Sequence, residues 1–152
     1  MARLPRFDLA GVPQHVVQRG NNRLPCFLDD DDRQRYLQCL RHGLSRFGCK
    51  LHAYVLMSNH VHLLLTPKEA GAVSQLMHAF SRNYVGLFNG RHGRTGTLWE
   101  GRYKACLVDS GSYFLACTAA ISSLIRLAPG WAADLDANGA GAYAPTLRLL
   151  RA

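Results

Sequence analysis

The alternation of apolar and polar positions predicts four short strands, and apolar residues at helical spacing predict three helices. The strands fall at residues 15–19, 51–57, 60–66 and 105–108. The helices begin near Asp31 or Asp32, near Val73, and at Asp109 or Ser110. The resulting order is strand, helix, strand, strand, helix, strand, helix. Such an order is typical of an α+β fold of the split β-α-β type, with helices packed on an antiparallel sheet.

Turn and cap residues separate these elements. The block Asp29-Asp30-Asp31-Asp32 supplies carboxylates for the start of the first helix, and Gly48 follows its last apolar residue. Ser58-Asn59 joins two strands as a hairpin, and Pro67 is predicted to end the second of them. From about Ala128 alanine and glycine predominate. We therefore predict a domain over residues 1–127 and a degenerate, poorly ordered tail over residues 128–152.

Composition limits the classes of protein to consider. The chain has 152 residues, of which 48% are hydrophobic, so one domain with a proper core is expected. The formal charge of +8 favours a polyanionic partner. Apolar runs stay below the roughly 18 residues that span a bilayer, and the five cysteines form no C-x-x-C pair. A cytoplasmic protein without membrane association or disulfides is expected.

His60 and His62 are the clearest candidate ligands. They lie two residues apart in a predicted strand, so both imidazoles should share one face of the sheet, with Val61 on the other. Their backbone separation, roughly 6 to 7 Å, would let two ring nitrogens bind one cation. A pair of structural, hydrogen-bonded histidines at the end of a core strand is the alternative.

Residues 91–104 form a basic segment in which Arg91, Arg94, Arg102 and Lys104 outnumber a single acid, Glu100. Glycines, hydroxyls and the aromatic rings of Trp99 and Tyr103 are interleaved with these charges. Such a mixture suits a phosphate backbone with stacked bases, although a solvated loop with incidental charge fits equally well.

Several motifs in the same order strongly resemble the REP-associated tyrosine transposases, single-tyrosine members of the HUH superfamily of single-stranded DNA nucleases. The resemblance covers roughly residues 1–118. The motifs are Pro5-Arg6, Gln18-Arg19-Gly20-Asn21-Asn22-Arg23, Cys26-Phe27, Asp30-Asp31, the run from His52 through Ser58-Asn59-His60-Val61-His62 to Leu64, and residues 93–104.

This resemblance implies a ferredoxin-like fold in which His60 and His62 bind Mg²⁺ or Mn²⁺. It also implies endonuclease chemistry, in which a tyrosine attacks single-stranded DNA and stores the bond as a 5′-phosphotyrosine for rejoining. Single-stranded or hairpin DNA is the expected partner. The residues expected to contact it are Arg19, Asn21, Asn22, Arg94, Trp99, Arg102, Tyr103 and Lys104.

The chain departs from the family after Cys117. Ala120 stands where the nucleophilic tyrosine is expected, and Leu124 stands where a third polar ligand is expected. Tyr113 is the nearest surviving hydroxyl, but two helical turns, about 10 Å, separate it from position 120. A core or rim role for Tyr113 is therefore favoured over a role as nucleophile.

Three hypotheses follow. The chain could be an active transposase-type nickase that uses an unrecognised tyrosine, a DNA-binding remnant that has lost its chemistry, or a metal-binding structural module. The basic segment argues against the third. A frameshift would account for the departure, because residues 122–131 can be encoded by bases whose alternative frame gives Glu-Leu-Asn-Pro-Ala-Arg-Ala-Gly-Met, close to the family motif.

Overall fold

The computed structural model describes residues 8–108 and two short strands in the tail. The elements of the first range are β1 (Gln14–Arg19), a 3-10 turn (Asn21–Arg23), α1 (Asp30–Phe47), β2 (Cys49–Leu56), β3 (His60–Pro67), α2 (Ala72–His92) and β4 (Lys104–Leu107). The tail strands are β5 (Ala133–Leu135) and β6 (Gly141–Tyr143), which pair with each other.

The main sheet has the order β2-β3-β1-β4, and every neighbouring pair is antiparallel. This order, with one helix after β1 and another after β3, is the ferredoxin-like α+β arrangement. The fold class expected from the sequence is confirmed. Boundaries differ slightly, since α1 begins at Asp30 and Pro67 is the last residue of β3 instead of a stop before it.

Both described helices cover one face of the sheet. Val16, Val61 and Leu63 point from β1 and β3 into the core cluster, where they join Tyr36 of α1 and Tyr84 of α2. The helices approach closely at Gly43, where an added Cβ would lie 2.5 Å from Leu76 Cδ1. Strand alternation sends the intervening residues to the opposite face, which therefore carries the polar side chains of β1 and β3.

The predicted third helix, including Tyr113, Ala120 and Leu124, lies outside the described residues. The boundary between domain and tail stays a prediction for the same reason; within residues 128–152 the structure describes only β5 and β6. Within the described ranges, neither helix is long and apolar enough to cross a membrane.

Candidate metal centre and nucleic-acid interface

His60 and His62 lie on the face of the sheet that faces away from α1 and α2. Their ring centroids are 5.1 Å apart and the ring planes are nearly perpendicular, at 72°. Across the ladder, His60 is opposite Arg19 and His62 is opposite Val17. The predicted shared face is therefore present, and two imidazoles from one rigid strand stand next to each other.

Asn59 orients the His60 ring. Asn59 Oδ1 lies 2.7 Å from His60 Nδ1, and Asn59 Nδ2 donates to the carbonyl oxygen of Arg23 at 3.3 Å. Because a carbonyl oxygen only accepts, the amide NH₂ group must face Arg23 and the amide oxygen must face the ring. His60 Nδ1 then carries the proton and donates it, which leaves the Nε2 lone pair free.

A third histidine, which the sequence analysis did not select, contacts His62. His15 Nε2 lies 3.0 Å from His62 Nδ1, and the rings stack with centroids 5.3 Å apart. In both His60 and His62, then, Nδ1 is the atom that bonds within the protein. Among the described residues, neither Nε2 atom has a hydrogen-bond partner.

The surroundings keep these rings neutral. Burial lowers the pKa of His62 to about 4, with further contributions from the nearby His15, His60 and Arg19. Burial and the Arg19 charge also lower the pKa of His60, and burial lowers the pKa of His15. A metal-binding imidazole must be deprotonated, so all three rings are in the required protonation state at neutral pH.

A tight turn at Asn22 and Arg23 also holds the Asn59 side chain, through its bond to the Arg23 carbonyl. Asn22 and Arg23 both have left-handed backbones, with φ of 54° and 57°, a conformation that costs roughly 1–3 kcal/mol for a residue other than glycine. The Gly20 amide donates to the Asn59 carbonyl at 2.8 Å, and a Cβ at Gly20 would lie 2.3 Å from the Leu24 oxygen. Only glycine allows this close approach of the turn to the β2–β3 hairpin.

Exposed cations flank the histidines. Arg19 is directly opposite His60, and Lys104 is directly opposite Val17, which is itself opposite His62. Directly opposed residues of antiparallel strands share a face, so Arg19 and Lys104 lie on the histidine side. The segment that follows β1 is also tied to the basic segment, since the Glu100 amide donates to the Arg19 carbonyl and the Asn21 amide to the Leu98 carbonyl, both at 2.8 Å.

Other residues of the predicted DNA-contacting set are placed differently. Trp99 and Tyr103 are 7% and 8% exposed and belong to the core cluster. Trp99 packs near Tyr84, with centroids 6.2 Å apart, and the Tyr103 hydroxyl bonds Ser74 Oγ at 3.0 Å. Such burial leaves little ring surface for a base, so it does not support the predicted stacking role.

The remaining members of that set divide into two groups. Arg94 lies over the Phe88 ring and donates to Asn89 Oδ1 at 3.2 Å, so part of its capacity is used internally. Asn22 and Arg102 are exposed, and Asn21 is half-buried. Tyr113 lies outside the described ranges, so its relation to the histidines stays a prediction.

The structure also brings together Asp29, Asp32 and His92, whose ligand atoms lie within 4.8 Å of one another. These oxygens already have partners. Asp32 is fully buried and accepts from the Leu28 amide, from His92 Nε2 and from Arg91, while Asp29 accepts from the Asp32 amide and from Arg91. The Arg91 bond lowers the pKa of Asp29 to about 2. This aspartate cluster (Asp29, Asp32, Arg91, His92) ties the start of α1 to the end of α2.

A cavity of about 700 Å³ lies on the helix side of the sheet, between α2 and residues 97–103. Gln18, His78 and Arg102 are among its lining residues. Because Gln18 alternates with the residues of the histidine face along β1, the cavity and the histidines lie on opposite sides of the sheet. The histidine face is therefore a separate candidate site from this cavity.

The donor set on the histidine face fits a divalent cation. His60 and His62 are neutral imidazoles, and no residue in the range 8–108 forms a hydrogen bond with either Nε2 atom. Mg²⁺ and Mn²⁺ retain several waters when bound to proteins, so two protein ligands with a hydrated remainder suit either ion.

Comparisons with known proteins bear on the family and the fold. The family described as "Transposase IS200 like" matches residues 10–117. A structure of a REP-associated tyrosine transposase bound to a REP hairpin is 14% identical, with a TM-score of 0.65 over 84% of this chain and 75% of that chain. A 1.90 Å crystal structure of a candidate transposase from Deinococcus radiodurans is 21% identical, with a TM-score of 0.54 over 78% and 95% of the two chains.

No curated protein matches the chain. Because both sequence identities are low, the two structural likenesses show a shared fold and nothing more specific. The family match is broader, since it extends from the residues before β1 through the histidine pair to Cys117. This protein therefore belongs to the IS200-like transposase family.

Proposed function

We propose that this chain binds single-stranded or hairpin DNA on its histidine face, with Mg²⁺ or Mn²⁺ held by His60 and His62. The observation that carries the proposal is the pair of neutral imidazoles whose Nδ1 atoms are bonded within the protein and whose Nε2 atoms have no hydrogen-bond partner among the described residues. The solved relative with a bound REP hairpin supports DNA as the partner.

The cations around the histidines support the same surface. Arg19 and Lys104 share its face, and the exposed Asn22 lies in the turn that follows β1. Arginine and lysine neutralise phosphates without reading sequence, which is the contact a backbone-binding surface requires. Trp99 and Tyr103 are left out of this proposed surface because they are buried.

The family chemistry would place a nucleophile beside this surface. When bound, a divalent cation polarises a phosphate and stabilises the charge that develops during attack. His60 and His62 hold the cation, Asn59 and His15 fix the rings, and Arg19 and Lys104 attract the DNA backbone. Tyr113 is the fallback candidate for the nucleophile, because Ala120 occupies the expected position.

Ala120 favours a second candidate function, a DNA-binding remnant that no longer cleaves. An active nickase would form a covalent protein-DNA product, and a DNA-binding remnant would not. We expect a labelled hairpin with a single-stranded flank, incubated with the purified chain and Mn²⁺, to bind without forming a covalent protein-DNA band. A covalent band that Tyr113→Phe abolishes would instead establish an active nickase, whereas absence of any DNA binding would contradict both candidates.

The gene sequence tests why position 120 lacks a tyrosine. If the tail arose by a frameshift, the bases under residues 122–131 spell Glu-Leu-Asn-Pro-Ala-Arg-Ala-Gly-Met in the alternative frame. A different set of synonymous codons would contradict the frameshift. This result bears on the lost chemistry only, since the histidine face lies wholly upstream.

A further inference from the structure

We propose that His15 and Asn59 are positioning residues, which hold His62 and His60 in the tautomer that leaves both Nε2 atoms unprotonated. The inference rests on the proposed metal site and extends it to two residues that touch no cation. It follows from a symmetry in the contacts: each metal-facing ring is bonded through Nδ1, one to the neighbouring residue and one to a different strand.

For His60 the hydrogen-bond network determines the direction. Asn59 uses its NH₂ group on the Arg23 carbonyl, so only its oxygen is left for the ring. His60 therefore donates from Nδ1. Loss of the Asn59 oxygen would free the ring to rotate and to take up the proton on Nε2, the atom that the cation needs.

For His62 the two possible directions have opposite consequences. If His15 Nε2 donated, His62 Nδ1 would be the acceptor and the His62 proton would sit on Nε2, which could then bind no cation. If His62 Nδ1 donates to His15 Nε2, the His62 Nε2 lone pair is free. Cation binding thus requires His15 to be the acceptor, with its own proton on Nδ1. Stacking of the two rings, at 21° between planes, holds them for this bond.

Partners of this kind are a general feature of protein metal sites. A ligating imidazole usually donates its other ring nitrogen to a carboxylate, a carbonyl or water, and loss of that partner typically weakens metal binding 10–100-fold. Here an amide oxygen and a third imidazole would fill the role. Both belong to the scaffold, because Asn59 lies in the β2–β3 turn and His15 in β1.

The turn at residues 22–23 affects the orientation of the His60 ring through Asn59. Asn59 connects the strained left-handed pair Asn22 and Arg23 to the His60 ring. A change in that turn would therefore alter the orientation of a metal ligand. The Asn59 side chain links the proposed DNA-contacting turn to the proposed cation.

The experiment measures tautomers in the metal-free protein, where no activity is involved. In chelator at pH 7.5, we expect two-bond ¹H–¹⁵N correlations to show the proton on Nδ1 in both His60 and His62. His15→Leu should move the His62 proton to Nε2, and His15→Gln should restore it because the amide oxygen accepts. Asn59→Leu should do the same to His60, while Asn59→Asp retains an acceptor and preserves the tautomer.

Mn²⁺ titration of the same variants gives the second readout. His15→Leu and Asn59→Leu should each bind Mn²⁺ about 10–100-fold more weakly, and the acceptor-retaining variants should recover most of the loss. His52→Leu is the matched control, since His52 is a histidine of the neighbouring strand β2 that bonds Thr66 Oγ1 at 2.7 Å.

A wild-type His62 with its proton on Nε2 would overturn the assignment of His15. Unchanged tautomers and unchanged Mn²⁺ affinity in His15→Leu and Asn59→Leu would overturn both positioning roles. A wild type that binds no Mn²⁺ would contradict the proposed function instead, and the metal-free tautomers would still decide between the two directions of each bond.

Discussion

Two histidine-containing clusters in this molecule differ in what their polar atoms already do. In the aspartate cluster, His92 and two carboxylates are saturated by Arg91, by backbone amides and by one another. On the histidine face, His60 and His62 each form one hydrogen bond through Nδ1, and His15 forms one through Nε2. None of these bonds, which all lie within the described residues, is made to a carboxylate. Saturated ligand atoms stabilise a fold, whereas unsaturated ones can bind a ligand.

The two clusters also differ in how they treat charge. Opposite charges meet at the aspartate cluster and hold two helix ends together, so the Asp29–Asp32 block neutralises part of the basic segment. Burial on the histidine face instead removes the charge from the rings. The net positive charge that could attract DNA to the histidine face therefore belongs to Arg19 and Lys104 more than to Arg91.

The largest effect should come from the aspartate cluster. We expect Asp32→Ala to lower the free energy of unfolding by about 3 kcal/mol, because it removes a fully buried carboxylate that accepts from the Leu28 amide, from His92 and from Arg91. Urea unfolding measures this change. Asp31→Ala is the control, since that side chain is 68% exposed and its ion pair is 3.7 Å long; its cost should stay below about 1 kcal/mol. Equal losses of stability in Asp32→Ala and Asp31→Ala would contradict the difference between the buried and the exposed carboxylate.

The second effect is the pH dependence of stability in chelator. His62 has a pKa of about 4 in the fold and about 6.5 when unfolded, so the unfolded chain binds more protons between these values. The stabilisation from the neutral ring is fully present above pH 6.5 and should fall by about 2 kcal/mol as pH drops toward 4, a value reduced because the ring is partly exposed to solvent. The lowered pKa values of His15 and His60 act in the same direction.

The variant His62→Gln should flatten the stability curve in that window. The pKa of Asp29 is lowered from 3.8 to about 2, so the stabilisation that comes from Asp29 is lost only below the pH range in which His62 titrates. Wild-type stability that is constant between pH 6.5 and 4 would contradict the burial of a neutral His62.

The smallest effect concerns DNA. Arg19→Ala and Lys104→Ala should each reduce the slope of log affinity against log salt by about 0.7 on single-stranded DNA, one phosphate contact apiece. Arg91→Ala is the matched control, since its guanidinium is already paired with Asp29 and Asp32. Fluorescence anisotropy over a salt series measures the slopes. An equal reduction by Arg91→Ala would show that ion pairing does not decide which cations contact DNA.

Local patterns predicted the fold and the shared face of His60 and His62 because both depend on short-range rules. The period-2 alternation placed His60 and His62 on one face, and the aspartate block and Gly48 bounded α1 within a residue or two. His15 could not be selected in this way, because its contact with His62 joins residues 47 apart and depends on the β1–β3 register.

Composition was less informative about the basic segment. Aromatic rings among cations resemble a stacking surface, yet Trp99 and Tyr103 are buried because residues 98–103 fold back over the helix side of the sheet. Arg91 is likewise paired with Asp29, 62 residues away. Whether a residue is exposed or paired depends on tertiary contacts that a local sequence window does not contain.

The most direct test of the central claim is pulsed electron paramagnetic resonance of bound Mn²⁺, which detects nitrogen nuclei coordinated to the ion. We expect nitrogen couplings from two imidazoles in the wild type, from one in His62→Ala and from none when His60 is also replaced by alanine, while His92→Ala retains both. Bound Mn²⁺ without nitrogen couplings, or couplings that disappear in His92→Ala and persist in the double variant, would contradict the assignment of the cation to the histidine face.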